Sequence, residues 1–410
     1  MSWIRPRTNR CRKVYHPACF LPVNRLLQKE FSVKADSPVV ATTLAARSGH
    51  KIGVLTLNVP AAMNAVDLTM VNLIDKQLAR WEKNDKVVAV LMRGAGDKAF
   101  CAGGDIRQLY QSMRAEGDEQ YRYADDFFRG EYGKNYRVHL FSKPLIAWGN
   151  GFVMGGGLGL FIGANHRVGT ETLKLAWPEI RIGLFPDVGG SWYLSRLPYP
   201  VGHWMGLSGS LMNAVDCREL KLIQYALRHE HQQDVLKALR QLPWGGNVAE
   251  NHHQVRSLLH GMEVGADELP ASQLALARDD LQQLFAAPDL PAIDRALRAW
   301  QGDNPWVKQG IENYLRGCPG TAWVVMEQLA RGAQMSLREV AQWELVLAYQ
   351  AVRHPDFAEG IRAMVIDKDY QPCWQHAAVT EVPRRWTEEL LQSPWSADNH
   401  PLRELPGWQR

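Results

Sequence analysis

In the stretch WPEIRIGLFPD, from Trp177 to Asp187, two carboxylates stand eight residues apart, each directly after a proline and among apolar residues. Acids usually sit at the surface. An acid in apolar surroundings is held toward its neutral form and can serve as general base, general acid or nucleophile. Two upstream stretches, VLMRGAGDKAFCAGGDI (90–106) and LIAWGNGFVMGGGLGL (145–160), offer a different kind of group. Each runs an apolar strand into glycines and then into a helix. Helix starts leave backbone N–H groups unpaired at the positive end of the dipole, and glycine lets a ligand come close to them. Two such turns side by side could aim one N–H each at a single oxygen, which is an oxyanion hole. A nucleotide phosphate site is the rival, but GxxxxGK[ST] is missing and Gly155, Gly157 and Leu160 do not complete GxGxxG. Close helix–strand packing is the other use of such glycines.

These groups need elements to position them. IGVLTL (52–57) and VVAVLMR (87–93) are rich in β-branched and large apolar residues and predict strands. Between them Asp67 caps a predicted helix through about Asn84, with Val71, Ile74, Leu78 and Trp81 on one face. A second helix is predicted from Asp105, and further strands at 145–150, 166–170 and 173–177. This alternation argues for an α/β layered core. Beyond residue 200 strand signals fade. Helical periodicity marks 272–285 and 292–300, and Ser336 with Glu339 forms a capping-box pattern before VAQWELVLAYQAV. A composition shift at 245–270 marks a boundary.

With 410 residues, 46% hydrophobic and 22% charged, the chain can bury a sizeable core. Part of its net charge of +4 comes from residues 1–29, which carry seven basic residues and no acid. The remainder has no basic face that would call for nucleic acid, and no apolar run is long enough to span a membrane. An Arg-rich, acid-poor N-terminus fits either a mitochondrial transit peptide or a disordered extension. The six cysteines show no CxxC pair and read as free thiols. His229, His231, His252 and His253 read as solvated surface rather than metal ligands. Cys101, beside the first glycine turn, reads as a packed small residue, since no histidine partner is in sight.

AFCAGGDI, NGFVMGGGLGL and PEIRIGLFPDVGG, in this order and spacing, resemble the crotonase (enoyl-CoA hydratase/isomerase) superfamily, and within it the branch of 3-hydroxyisobutyryl-CoA hydrolases. FRGEYGKN (128–135) and HPDFAEGIRAMVIDKDYQPCW (354–374) extend the resemblance from about residue 50 to about residue 375. It implies an α/β fold, a crotonase-like core of repeated ββα units with a helical C-terminal region. The expected division is an N-terminal extension over 1–36, an acyl-CoA-binding core over 37–250, and a helical region over 251–410 that covers the site. The resemblance also implies an oxyanion hole from the N–H groups of Gly104 and Gly156.

The acids decide the reaction. Where a hydratase of this superfamily carries its first glutamate, this chain has Gly159; the second matches Glu179. Asp187 stands where hydratases have glycine, and Asp187 and Glu131 match the hydrolase pattern. The resemblance therefore implies thioester hydrolysis of a short 3-hydroxyacyl-CoA, 3-hydroxyisobutyryl-CoA of valine breakdown foremost. Glu179 would attack the carbonyl carbon or activate water. Asp187 and Glu131 would hold the acyl group through its 3-hydroxyl, and Asp187 would protonate the leaving thiolate. Lys368 matches a position near the adenine end of CoA. No metal or separate cofactor is implied, CoA being part of the substrate. The partner is a small-molecule acyl-CoA, the oligomeric state is open, and the location expected is cytoplasmic, or the mitochondrial matrix if the N-terminus is a transit peptide. Two alternatives are an enoyl-CoA hydratase/isomerase and a non-catalytic acyl-CoA- or RNA-binding relative.

Overall fold

The computed structural model describes residues 37–407, so the expectation for the extension at 1–36 lies outside the described residues. Two sheets organise the core. The larger has six strands in the order β1 (Val39–Ala45), β2 (Lys51–Leu57), β3 (Val87–Gly94), β5 (Leu145–Gly149), β7 (His166–Thr170) and β9 (Tyr225–Leu227). Only β1 runs antiparallel to its neighbour; the other pairs are parallel. The smaller sheet has three parallel strands of three residues each, in the order β4 (Ala99–Cys101), β6 (Phe152–Met154) and β8 (Lys174–Ala176).

Each of the pairs β3–β4, β5–β6 and β7–β8 sends its first strand to the large sheet and its second to the small one. This is the ββα repeat that the sequence resemblance implies. The change of sheet needs a sharp corner. In the second repeat it falls at Gly151, at φ +55°, where any side chain would collide with the Lys98 carbonyl.

Alternate residues of the large sheet face two cores. Leu55, Val90, Met92 and Ala147 point to the main core with the helices α1 (Leu68–Glu82), α2 (Ile106–Arg114), α3 (Arg122–Leu140) and α4 (Gly155–Gly163). Val54, Leu91, Ile146 and Trp148 point to a second core on the other face. Helix Val248–His260 closes that second core with Val255 and Leu259. The domain boundary expected at 250 therefore falls inside a helix that belongs to the sheet. The change in composition at 245–270 spans the loop before this helix, the helix itself with Asn251, His252 and His253, and the turn after it, and does not mark the end of the core.

Local signals explain many of the boundaries. Asp67 accepts from the Met70 N–H at 2.7 Å and starts α1; Asp105 accepts from Arg107 N–H at 3.2 Å and starts α2. Ser336 and Glu339 form the expected capping box. From residue 273 to 391 the described chain is helical apart from its connections, in keeping with the expected helical region. Its helices Pro319–Gly332 and Leu337–Ala351 pack against α3 and the short helix α5 (Gly190–Leu194).

His252 differs from expectation. Its Nδ1 lies 2.9 Å from His166 Nε2 and its Nε2 lies 2.9 Å from the Ser142 carbonyl, so it ties its helix to β7. His229 likewise lies 3.2 Å from the indole nitrogen of Trp148. Among the described residues, no group of three or more His, Cys, Asp or Glu could hold a metal ion. Nor is any helix there long and apolar enough to cross a membrane.

Candidate active site

The three strands of the small sheet end at one edge, and each ends in a piece of the site. β4 runs into Ala102, Gly103 and Gly104 before α2; β6 runs into Gly155 and Gly156 at the start of α4; β8 runs into Pro178 and the single turn Glu179–Ile182. The carboxyl edge of parallel strands is where α/β proteins hold ligands. A cavity of about 400 Å³ opens there, bordered by Gly104, Gly156, Glu131, Glu179 and Asp187 together. Ile106, Leu109, Phe127, Phe128 and Met364 supply much of its apolar wall.

The glycines are required by conformation and by space. Gly103 is at φ +128° and Gly155 at φ +49°, where side chains are strained. A Cβ on Gly156 would lie 3.5 Å from the Gly104 nitrogen and would collide with Glu131 Oε1. The two turns are therefore side by side. The N–H groups of Gly104 and Gly156 find no backbone acceptor among the described residues. Gly157 is packed against Cys101, whose thiol donates to the Gly103 carbonyl at 3.4 Å. Burial pushes that thiol up to about 12, so Cys101 is a packed residue and not a nucleophile.

Opposite the glycines stand side chains drawn from distant elements. Glu131 comes from α3, where Ala124, Phe127, Phe128, Glu131, Tyr132, Asn135 and Val138 recur at helical spacing on one buried stripe. Glu131 Oε1, Glu179 Oε2, the Lys134 ammonium and both polar atoms of Asn135 are buried without a hydrogen-bond partner. Asp187 accepts from the Tyr132 hydroxyl at 3.0 Å. Glu344, on helix Leu337–Ala351, accepts from the Gly189 N–H at 2.7 Å and the Ser191 N–H at 2.9 Å.

Four buried carboxylates so grouped cannot all ionise cheaply. Burial, then the charges of Glu344 and Glu131, push Glu179 up to about 8. Burial also raises Asp187, reinforced by Glu179, Glu131 and Glu344. Glu131 is raised by burial and partly restored by the Lys134 charge. Burial takes Glu344 up to about 7 against its two N–H donors. The arrangement places buried carboxylates held toward their neutral forms and two backbone N–H groups around one cavity. That is the equipment for attack on a carbonyl carbon.

Glu179, Asp187, Glu131, Gly104 and Gly156 thus meet at one cavity. Lys368 does not border it; it is exposed, at φ +57°. Arg181 does border it, its pKa lowered by burial and then by the nearby Arg316 charge. No ion pair forms between Arg181 and Glu179. Gly159 offers no room for an acid: a Cβ there would collide with Asn135 Nδ2 and come within 2.7 Å of Val188 Cβ. Tyr132, Lys134, Asn135 and Glu344 are the residues that sequence reasoning missed. The first three lie among the buried residues of α3, a setting that their polar letters do not reveal until that buried face is known. Glu344 carried no local signal beyond lying in a predicted helix.

The sequence profile of the enoyl-CoA hydratase/isomerase family matches residues 52–391. The chain is 35% identical over 350 residues to the mitochondrial 3-hydroxyisobutyryl-CoA hydrolase of Xenopus tropicalis, covering 84% of this chain and 88% of that one. It is 32% identical over 389 residues to that of Gallus gallus, covering 93% and 97%. Among solved structures, an enoyl-CoA hydratase from Rhodobacter sphaeroides superposes with a TM-score of 0.75 at 32% identity, covering 87% of this chain and 98% of its own. A carnitinyl-CoA dehydratase from Mycobacterium thermoresistibile superposes with 0.77 at 29% identity, covering 90% and 99%.

Proposed function

The chain belongs to the enoyl-CoA hydratase/isomerase family, and we propose that within it this chain hydrolyses the thioester of short 3-hydroxyacyl-CoA, 3-hydroxyisobutyryl-CoA first among them. The observation that carries this reading is the position of the acids. Asp187 borders the cavity with Glu179, while the place of the first hydratase glutamate is Gly159, filled by Asn135 and Val188. The names of the frog and chicken relatives support the same substrate and its place in valine breakdown.

In this mechanism the thioester oxygen lies between the N–H groups of Gly104 and Gly156, which stabilise the charge that develops on it. Ionised Glu179 either attacks the carbonyl carbon, giving a mixed anhydride that water then cleaves, or takes a proton from the attacking water. The C–S bond breaks with its electron pair on sulfur, and Asp187, held toward its protonated form, gives the thiolate a proton. Both variants leave carboxylic acid and free CoA. Asp187 and Glu131 also bind the 3-hydroxyl. Arg181 borders the cavity and Lys368 does not, so Arg181 is the basic group better placed to meet CoA phosphates. The relatives' names further favour a mitochondrial over a cytoplasmic location.

A thiol-release assay over short acyl-CoAs tests this. Free CoA should appear from 3-hydroxyisobutyryl-CoA with a kcat/KM on the order of 10²-fold or more above that for isobutyryl-CoA, because buried acids left unpaired reject a substrate lacking the hydroxyl. Likeness to the Rhodobacter enoyl-CoA hydratase supports a second reading, addition of water to an enoyl-CoA. Loss of enoyl absorbance without thiol release would establish that reading and overturn the first. Binding of acyl-CoA with neither reaction would leave only a binding protein.

A further inference from the structure

Asp187 sits in a backbone that does not hold itself in place. Val188, a β-branched residue, follows it at φ +51°, and Gly189 is at φ +91°. The left-handed region is costly for a β-branched side chain and persists only where the surroundings impose it. Within the loop, Gly190 N–H donates to the Asp187 carbonyl at 2.8 Å, one turn-type bond. The Asp187 carboxylate itself accepts from the Tyr132 hydroxyl of α3 at 3.0 Å, while further hydrogen bonds to the backbone on either side of it come from two helices far along the chain. Gln328, on Pro319–Gly332, donates through Nε2 to the Pro186 carbonyl at 2.7 Å and to Ser191 Oγ at 2.8 Å. Glu344 takes the Gly189 and Ser191 N–H groups, one on each carboxylate oxygen. Both side chains are almost fully buried, at 2% and 1% exposure. One holds the residue before Asp187, and the other holds the backbone just after it.

We infer that Glu344 and Gln328 are positioning residues, a clamp through which the helical C-terminal region sets the place of the Asp187 carboxylate in the cavity. The inference rests on the proposed role of Asp187. A clamp of this kind fits the chemistry of its two members. A carboxylate is the side chain that offers two acceptors and no donor to two parallel N–H groups, and an amide N–H₂ can donate twice to a carbonyl and a hydroxyl. Glu344 does not border the cavity, so it does not touch the substrate; it acts through the loop it holds and through its charge on Glu179 and Asp187, whereas Gln328 carries no charge and acts through the loop alone.

Glu344→Gln keeps the shape of the clamp but sets an amide donor against a backbone donor. The expected result is a fall in kcat/KM on the order of 10-fold, carried by a lower kcat and a higher KM together, since the displaced Asp187 serves both proton transfer and binding of the 3-hydroxyl. Gln328→Met removes the other half and should lower kcat by a smaller factor. The decisive measurement is the double-mutant cycle with Asp187→Asn, a variant that should itself lose more than either. If the clamp acts through Asp187, both clamp substitutions should cost nothing further in the Asp187→Asn background. An equal loss in both backgrounds would mean a merely structural role and overturn the clamp. So would full activity of both clamp variants beside a crippled Asp187→Asn enzyme. Full activity of Asp187→Asn would overturn the role of Asp187 itself, and the clamp with it. Circular dichroism of each variant separates these outcomes from misfolding, and Gln328→Met carries the test if Glu344→Gln does not fold.

Discussion

The two sides of the cavity are built by different means. On one side the chemistry is backbone: Gly104 and Gly156, delivered by β4 and β6 at adjacent positions of one small sheet. On the other side it is side chain: Glu131 from α3, Glu179 after β8, Asp187 before α5, with Glu344 behind them from a helix near the end of the chain. The backbone side is fixed by strand pairing and has no charge to manage. The side-chain side carries four buried carboxylates whose protonation is shared. The backbone side can set how strongly developing charge is stabilised, and the acid side how much of the enzyme is in the working protonation state.

The largest effect is expected where that division is sharpest. Glu179→Gln removes the base or nucleophile and leaves the two N–H donors intact. Its kcat should fall by on the order of 10⁴-fold, the upper end for a positioned acid–base group. Acyl-CoA binding, measured by calorimetry, should persist. Retention of turnover within about 10-fold of wild type would sink the role of Glu179. Gly156→Ala strikes both sides at once, because the new Cβ collides with Glu131 Oε1 beside the Gly104 nitrogen. The loss in kcat should be on the order of 10²-fold, as for one lost oxyanion donor. Gly104→Ala meets only Phe127, at 3.0 Å, and should cost less because that ring can give way.

The same division decides what could be read from the sequence. The backbone side was legible because its signals are local: glycine runs after apolar strands, and Asp67 and Asp105 in capping positions. The ββα repeat entered through resemblance. β4, β6 and β9, at three residues each, are too short to show a period of two; β8 is as short and was legible only as part of the longer run LKLAW. β1 was missed as well, although VVATTLA is rich in β-branched residues. On the acid side, Glu179 and Asp187 stood out by their apolar surroundings. Lys134 and Asn135 did not, because polar letters in a helix read as solvent-facing until the buried stripe of α3 is known. Glu344 meets Gly189 across 155 residues of chain, and no local pattern encodes such a contact.

The smallest effect is the most specific, since it is a shift and not a loss. Glu179 must be ionised to act as nucleophile or base, and its pKa in the free enzyme is pushed up to about 8. The kcat/KM should therefore rise with pH through about 8 and fall roughly tenfold per unit on the acid side of that limb. Glu131 is one of the negative charges that raise Glu179 and Asp187. Glu131→Gln removes that charge, makes ionisation of Glu179 easier, and should move the limb to lower pH. Gly104→Ala changes no charge, so it should lower the height of the profile and leave the limb in place. A limb that stays put in Glu131→Gln, or moves in Gly104→Ala, would break the separation between a side that sets height and a side that sets pH. The direction of the Glu131→Gln shift is itself diagnostic. A shift upward would mean that the Lys134 ammonium, lowered by burial and sustained chiefly by the Glu131 charge, loses its proton with its partner and withdraws a positive charge from the cluster.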